Sequence, residues 1–80
     1  METAHWLLDW FAARGEAGAL KVEENYYDKG VIDSFSVIEL IEDVETRFGI
    51  RFSDGDFRDK RFPTVAGLAD LIAEKQRADG

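Results

Sequence analysis

Apolar residues recur at helical spacing in three separate segments of the chain, and this periodicity restricts the possible folds more than any other feature. The predicted helices lie at about residues 3–14, 34–48, 54–59 and 64–77. The only alternating stretch, at 50–52, is too short for a strand and has no partner strand. The sequence therefore predicts a small all-α four-helix bundle, with three main helices, one short helix and a long loop at 16–33.

Capping residues mark the ends of these helices. Thr3 and Thr64 are suitable N-terminal caps, and Gly15, Gly18 and Gly49 are suited to ending a helix. The loop between the first two helices is longer than most connections in compact domains, and loops of that length are often functional.

The length and the scarcity of reactive side chains exclude several classes of function. The 80 residues suffice for one domain, which we expect to span 1–80. A chain this short buries only about 60–65% of its unfolded surface, which leaves no room for an enclosed active-site cavity. With no cysteine and a single histidine, the chain has no thiol nucleophile, disulfide framework or multi-histidine metal site of its own. No apolar stretch is long enough to span a membrane and no signal-peptide pattern is present, so we expect a cytoplasmic monomer without membrane contact.

The negative charge of the chain is concentrated in one quarter of its length. The formal net charge is −7, and residues 23–45 alone hold eight acids against one base, Lys29. An acidic chain lacks the basic face that nucleic acids require, so nucleic-acid binding is excluded. The acidic segment is either a solvated face or a docking surface for basic partners.

The predicted helix at 34–48 has distinct faces. Its core-facing arc contains Val37, Leu40, Ile41, Val44 and Phe48. Its opposite arc, expected to face water, contains Ser36, Glu39, Asp43 and Arg47. Phe35 and Ile38 fall outside the core arc and are interleaved with Glu42 and Glu45. Such an arrangement indicates a surface that meets a partner, although a Phe35 folded under the preceding loop fits the periodicity equally well.

Asp33 and Ser34 stand where the long loop meets this helix. Both residue types are favoured N-caps, which is a sufficient structural reason for their presence. Alternatively, Ser34 is a modification site, because an attached phosphodiester would sit at the positive end of the helix dipole. No histidine or lysine base lies close to Ser34 in sequence, so an outside enzyme would have to supply the chemistry.

The residues around Ser34 form a longer pattern. Residues 28–35 read Asp-Lys-Gly-Val-Ile-Asp-Ser-Phe, and 37–41 read Val-Ile-Glu-Leu-Ile. This pattern closely resembles the phosphopantetheine attachment region of the acyl and peptidyl carrier proteins of fatty acid, polyketide and nonribosomal peptide synthesis. The resemblance continues through Glu45, 48–50 and 62–65 and covers roughly residues 20–75. An isolated Asp-Ser pair is a weak signal, whereas Asp-x-Gly-x-x-Asp-Ser heading an acidic amphipathic helix is a specific one.

The resemblance implies an acyl-carrier-like bundle that is not an enzyme and has neither catalytic residues nor a metal site. Ser34 would receive 4′-phosphopantetheine from coenzyme A through a separate magnesium-dependent phosphopantetheinyl transferase, and Asp33 matches the position that orients this transfer. The thiol of the arm would hold acyl or aminoacyl groups as thioesters. Carriers of this family dock partners on the helix that begins at the modified serine, which assigns partner contact to Phe35, Ile38, Glu42 and Glu45.

The implied partners beyond the transferase are an adenylation or other acyl-loading enzyme or a ketosynthase, followed by tailoring enzymes with basic surfaces. Phe35 stands where the family usually has leucine, which bears on partner compatibility more than on modification. Two residues separate Gly30 from Asp33, where many fatty-acid carriers have one. This spacing looks more like that of discrete, freestanding carriers in specialised pathways, including D-alanyl and aminoacyl ones. The cargo, acyl or aminoacyl, stays open.

Two other functions are weighed against this one. A carrier-like interaction module could act through its acidic helix without a cofactor, whereas a small hydrolase built on Ser34 lacks a base and an oxyanion site. The Asp54-Gly55-Asp56 sequence does not continue into the twelve-residue calcium loop, so it is expected to cap the short helix. His5 is expected at the surface, and the core is expected to contain Trp6, Trp10, Tyr26 and Tyr27.

Overall fold

The computed structural model describes residues 2–13, 20–30 and 32–79. Its helices are α1 (Glu2–Ala13), α2 (Ser34–Phe48), α3 (Asp54–Phe57) and α4 (Val65–Asp79). The described residues form no strand, only an isolated antiparallel bridge between Asn25 and Thr64. The predicted all-α bundle of three main helices and one short helix is therefore confirmed. None of the helices within these ranges is both long and apolar enough to cross a membrane.

The helices begin and end where the capping residues predict, with two exceptions. At the end of α2, Gly49 adopts the left-handed conformation (φ 67°) and its amide donates to the Glu45 carbonyl. At the start of α4, the Thr64 hydroxyl accepts a hydrogen bond from the Gly67 amide at 3.0 Å. Thr3 does not cap α1, because that helix already begins at Glu2. The short helix ends at Phe57 rather than at about residue 59, and Gly15 and Gly18 lie outside the described residues.

The core lies between the three long helices and the loop that precedes α2. It contains Leu7, Trp10, Phe11, Leu20, Tyr26, Ile32, Leu40, Val44, Ile50, Phe62, Val65, Leu68, Ala69, Leu71 and Ile72. The remaining members of the arc expected on α2 are partly buried against this core. Helix α1 packs directly on α4, and both contribute residues to the core cluster that includes Leu40 and Val44 of α2.

Two aromatic residues behave differently from the expectation. Tyr27 is 43% exposed, because only one of two consecutive tyrosines in the turn points into the core and that one is Tyr26. Trp10 is buried as expected, but its indole Nε1 donates to Asp43 Oδ2 at 2.7 Å. Asp43 therefore does not simply face water, since it holds α2 against α1.

Candidate functional site

Ser34 is the first residue of α2 and is exposed. Asp33 precedes it in an extended conformation, and its carboxylate accepts a hydrogen bond from the Ser36 amide at 2.7 Å. The expected cap at the loop–helix junction is therefore present. It leaves the Ser34 hydroxyl at the surface, where another protein can reach it.

The electrostatics at this helix end suit an anionic substituent on the serine. No acidic residue lies in the first turn of α2, and helix N-termini stabilise negative charge through their free amides and dipole. The hydrogen bond from the Ser36 amide holds the pKa of Asp33 below its usual range, so this carboxylate is ionised at neutral pH. A phosphodiester on Ser34 fits this end of the helix.

The basic residue nearest to Ser34 in sequence forms an ion pair with another residue. Lys29 forms an ion pair with Glu24, with 3.4 Å between Nζ and Oε2, and His5 is exposed on α1. The described residues contain no cluster of acidic or histidine side chains able to hold a metal ion. The lysine nearest to Ser34 in sequence is therefore already paired with a carboxylate.

The loop that leads to Ser34 is stabilised by its own hydrogen bonds and by hydrogen bonds to the start of α4. The Asn25 side chain accepts hydrogen bonds from the amides of Tyr27 and Asp28 at 2.8 and 3.1 Å. Gly30 closes this turn at φ 71°, a conformation that other residues rarely adopt. The turn gives the chain a defined approach to Ser34.

Longer-range bonds fix the same loop to the start of α4. The Tyr26 amide donates to the Pro63 carbonyl at 2.9 Å, and the Ala66 amide donates to the Val22 carbonyl at 2.8 Å. The buried Tyr26 hydroxyl also donates to the Phe62 carbonyl. The start of α4 therefore serves as the support on which the loop before Ser34 rests.

The outer face of α2 exposes the two large apolar residues that the periodicity set apart. Phe35 is 73% exposed and Ile38 is 57% exposed, so Phe35 does not fold under the preceding loop. Glu42 is exposed on the same helix. Glu45 is only half-exposed, because its Oε2 accepts a hydrogen bond from the Phe52 amide at 2.9 Å. Three of the four expected contact residues are thus openly accessible, and the fourth also has an intramolecular role.

An apolar groove lies beside this face and extends the site beyond the residues expected from sequence. It has a volume of about 360 Å³ and is lined by Tyr27, Val37, Ile38, Ile41, Phe57 and Phe62. Tyr27 and Phe57, each more than two-fifths exposed, were not expected here. The one available signal was the adjacency of Tyr26 and Tyr27, since neighbours in a tight turn seldom both reach the core.

A second, more polar hollow of about 460 Å³ lies towards the other end of α2. It is lined by Glu42, Glu45, Thr46, Gly49, Ile50 and Arg51. Both glutamates expected to contact partners therefore border one depression, although only Glu45 is tied to the segment that follows α2.

Comparisons with known proteins agree with the geometry. The family model described as "Phosphopantetheine attachment site" matches residues 12–72. Proteins named D-alanyl carrier protein from Streptococcus thermophilus, Streptococcus sanguinis and Streptococcus gordonii are each 32% identical to the chain over 57 residues. Each of these matches covers 71% of this chain and 72% of the relative. No solved structure gives a significant match.

Proposed function

Because the chain belongs to the family of phosphopantetheine carrier proteins, we propose that Ser34 is its attachment residue and that its cargo is a small aminoacyl group held as a thioester. The observation that carries the attachment site is the exposed Ser34 hydroxyl at the capped N-terminus of α2, in a first turn free of acidic side chains. When bound, 4′-phosphopantetheine supplies a flexible arm with a terminal thiol that forms the thioester.

The chain's own residues prepare the serine for a partner enzyme. Asp33 caps the helix that begins at Ser34, and in this proposal its ionised carboxylate, on the residue directly before the serine, orients the transfer. Since the lysine nearest in sequence is paired with Glu24, Ser34 depends in this proposal on the phosphopantetheinyl transferase for deprotonation. The bundle itself is a carrier and not a catalyst.

Phe35, Ile38, Glu42 and Glu45 form the surface that the transferase and the loading enzyme contact in this proposal. It is supported by the exposure of both apolar residues beside acidic ones, a composition that suits a partner with apolar pockets rimmed by basic side chains. The apolar groove begins at Val37 and Ile38, about one helical turn from Ser34, within reach of an arm attached there.

The aminoacyl cargo is supported by the relatives, which are named D-alanyl carrier proteins, and by the spacing of Gly30 and Asp33. A ligase that activates D-alanine is therefore the first loading enzyme to test. An acyl chain delivered by a ketosynthase pathway is the alternative cargo.

Attachment is tested by intact-mass spectrometry after incubation with coenzyme A, magnesium and a broad-specificity transferase. We expect one phosphopantetheine addition, which Ser34→Ala abolishes. Ser36→Ala is the matched control, since it removes a serine hydroxyl from the same turn and keeps the backbone amide that donates to Asp33. Loading that survives in Ser34→Ala, or no loading under conditions that modify a known carrier, would refute the proposal.

The cargo is tested on the modified protein with ATP and a D-alanine-activating ligase. A hydroxylamine-labile adduct with the mass of D-alanine is expected. If the thiol accepts only acyl groups, the aminoacyl part of the proposal is wrong while the attachment site stands.

The cofactor-free interaction module makes a different prediction in cells. It requires Ser34→Ala to retain full activity, whereas a carrier loses all activity with this change.

A further inference from the structure

The short helix α3 depends on its neighbours for its position. It has four residues, Asp54–Phe57, and none of them is buried. A single turn with no buried side chain is not stable alone, because helix nucleation is unfavourable. Its position must therefore come from contacts with the long helices.

One of these contacts comes from α4. Asp56 Oδ2 accepts hydrogen bonds from the Ser53 amide at 2.7 Å and the Ser53 hydroxyl at 3.2 Å, which caps α3. The same oxygen lies 2.7 Å from Lys75 Nζ. The cap of α3 is thus tied to α4 by one ion pair.

The other contact comes from α2, and it uses Glu45. The Glu45 carboxylate accepts the Phe52 amide at 2.9 Å, directly before the Ser53 cap. The Phe52 ring packs against Phe57 of α3, with 5.9 Å between ring centroids, and against Phe62 at 6.0 Å. The hydrogen bond that the Phe52 amide donates to Glu45 therefore holds the residue against which Phe57 of α3 packs.

Phe57 links this arrangement to the apolar groove. Its ring lines the groove together with Phe62, and the two rings meet edge to face at 5.4 Å. A displacement of α3 therefore widens or narrows the groove beside Ser34. Glu45 itself borders the polar hollow that it shares with Glu42, so its carboxylate is accessible from the docking side.

We propose that Glu45 couples partner docking to the position of α3. A basic side chain of a docking enzyme that engages Glu45 Oε2 competes with the Phe52 amide for that oxygen. Release of Phe52 then frees α3 and Phe57 to move away from the groove. The competition favours the partner, because a carboxylate bonds an ionised guanidinium or ammonium donor more strongly than a neutral amide. This coupling rests on the proposed function of α2 as the docking surface.

The test measures hydrogen exchange of the Phe52 amide by NMR in the unmodified protein, so it does not depend on loading of Ser34. In the free protein, Glu45→Ala should accelerate this exchange on the order of tenfold, the effect of losing a hydrogen bond to a charged group. Glu45→Gln keeps an acceptor and should accelerate it less. Glu42→Ala, which removes an exposed acid from the same helix, is the matched control and should leave the exchange unchanged.

The coupling is then tested with a hexa-arginine peptide at low ionic strength as the source of guanidinium groups. Saturating peptide should accelerate exchange at Phe52 and in α3 several-fold in the unmutated protein, and much less in Glu45→Gln. If the peptide shifts the α2 resonances but leaves Phe52 exchange unchanged or slower, Glu45 bonds both partners at once and the coupling does not exist. A peptide that leaves the Glu45 resonances unmoved overturns it as well.

These outcomes are separable from those of the proposed function. Loading of Ser34 with no change at Phe52 retains the carrier and rejects the coupling. Accelerated amide exchange at Phe52 without loading of Ser34 supports the coupling and rejects the carrier function.

Discussion

Trp10 of α1 donates its indole N–H to the carboxylate of Asp43 on α2, with 2.7 Å between Nε1 and Oδ2. The two residues are 33 positions apart, and the indole is only 8% exposed. A second aromatic contact reinforces the same pair of helices, since Trp6 meets Phe48 edge to face at 5.3 Å. One acid of α2 thus belongs to the fold, while its neighbour Glu42 is exposed to solvent.

This division of roles predicts unequal effects of removing two acids from α2. Asp43→Ala leaves a buried indole N–H without this acceptor and should lower the free energy of unfolding by about 1–2 kcal/mol. Asp43→Asn keeps an acceptor oxygen and should lower the free energy of unfolding by a smaller amount. Urea denaturation followed by tryptophan fluorescence measures the change, with Glu42→Ala as control. Equal stability of Asp43→Ala and Glu42→Ala would contradict the structural role.

The exposed apolar pair on α2 should affect recognition and not folding. Phe35→Ala and Ile38→Ala remove side chains that are 73% and 57% exposed, so the free energy of unfolding should change by less than about 0.5 kcal/mol. The rate of transfer to Ser34 should fall roughly tenfold if these residues are contact hot spots. The measurement is loading rate against transferase concentration, and a control is Ala12→Ser on the exposed side of α1. Unchanged rates in both variants would place the docking surface elsewhere.

The two roles of Asp33 can be separated by one substitution. Asparagine is as good an N-cap as aspartate, so Asp33→Asn should keep the hydrogen bond from the Ser36 amide and the stability of α2. It removes the negative charge beside Ser34 and should slow transfer from coenzyme A. Circular dichroism during urea titration and mass-resolved loading kinetics give the two readouts. Loading at the original rate would leave Asp33 with a capping role alone.

The ion pairs around Arg61 predict a loss of stability in acid. Hydrogen bonds from Arg61 lower the pKa of Asp59 from 3.8 to about 2. A lowered pKa in the folded state stabilises the protein above the ordinary pKa, and this contribution is lost as the pH falls from 3.8 towards about 2. Over that interval the thermal midpoint of Asp59→Asn should fall less steeply than that of the unmutated protein. Asp28→Asn, at an exposed position, is the control and should keep the original slope.

Close backbone contact makes Gly67 the least replaceable glycine in the described helices. A Cβ there would meet the Arg61 carbonyl oxygen and lie 2.7 Å from the Arg61 Cα, so Gly67→Ala should cost roughly 1–3 kcal/mol of stability through overpacking. Gly55→Ala is the matched helical control, since its nearest neighbour would be Ser53 Oγ at 3.9 Å. Urea midpoints compare the two, and a Gly67→Ala protein as stable as Gly55→Ala would rule out the close contact.

The elements that sequence predicted well are those with a periodic or local signal. Helix α2 has the expected bounds because a cap at Asp33, a left-handed glycine at Gly49 and a continuous apolar arc all agree. The exposure of Phe35 and Ile38 follows from the same periodicity, once the structure excludes burial of Phe35 under the loop.

The contacts that sequence did not predict join residues on different structural elements. Nothing in the spacing of Trp10 and Asp43, or of Glu45 and Phe52, distinguishes these partners from other polar and apolar residues nearby. Glu45 was expected at the partner surface, and its bond to the Phe52 amide depends on how the chain turns after Gly49. Side-chain hydrogen bonds of this kind depend on tertiary geometry, which the helical periodicity of apolar residues does not encode.

During translation, the loop before Ser34 is synthesised well before the residues that form hydrogen bonds with it. Tyr26 and its partner Phe62 are 36 positions apart, and Val22 is bonded to Ala66 later still. Contacts between such distant positions form late in folding, because a long segment must first be closed. We therefore expect a nascent chain that has just exposed Ser34 to be a poor substrate for modification. Only a chain synthesised past Ala66 has the approach to Ser34 in final form, so in the proposed function we expect the arm to be attached after the domain has folded.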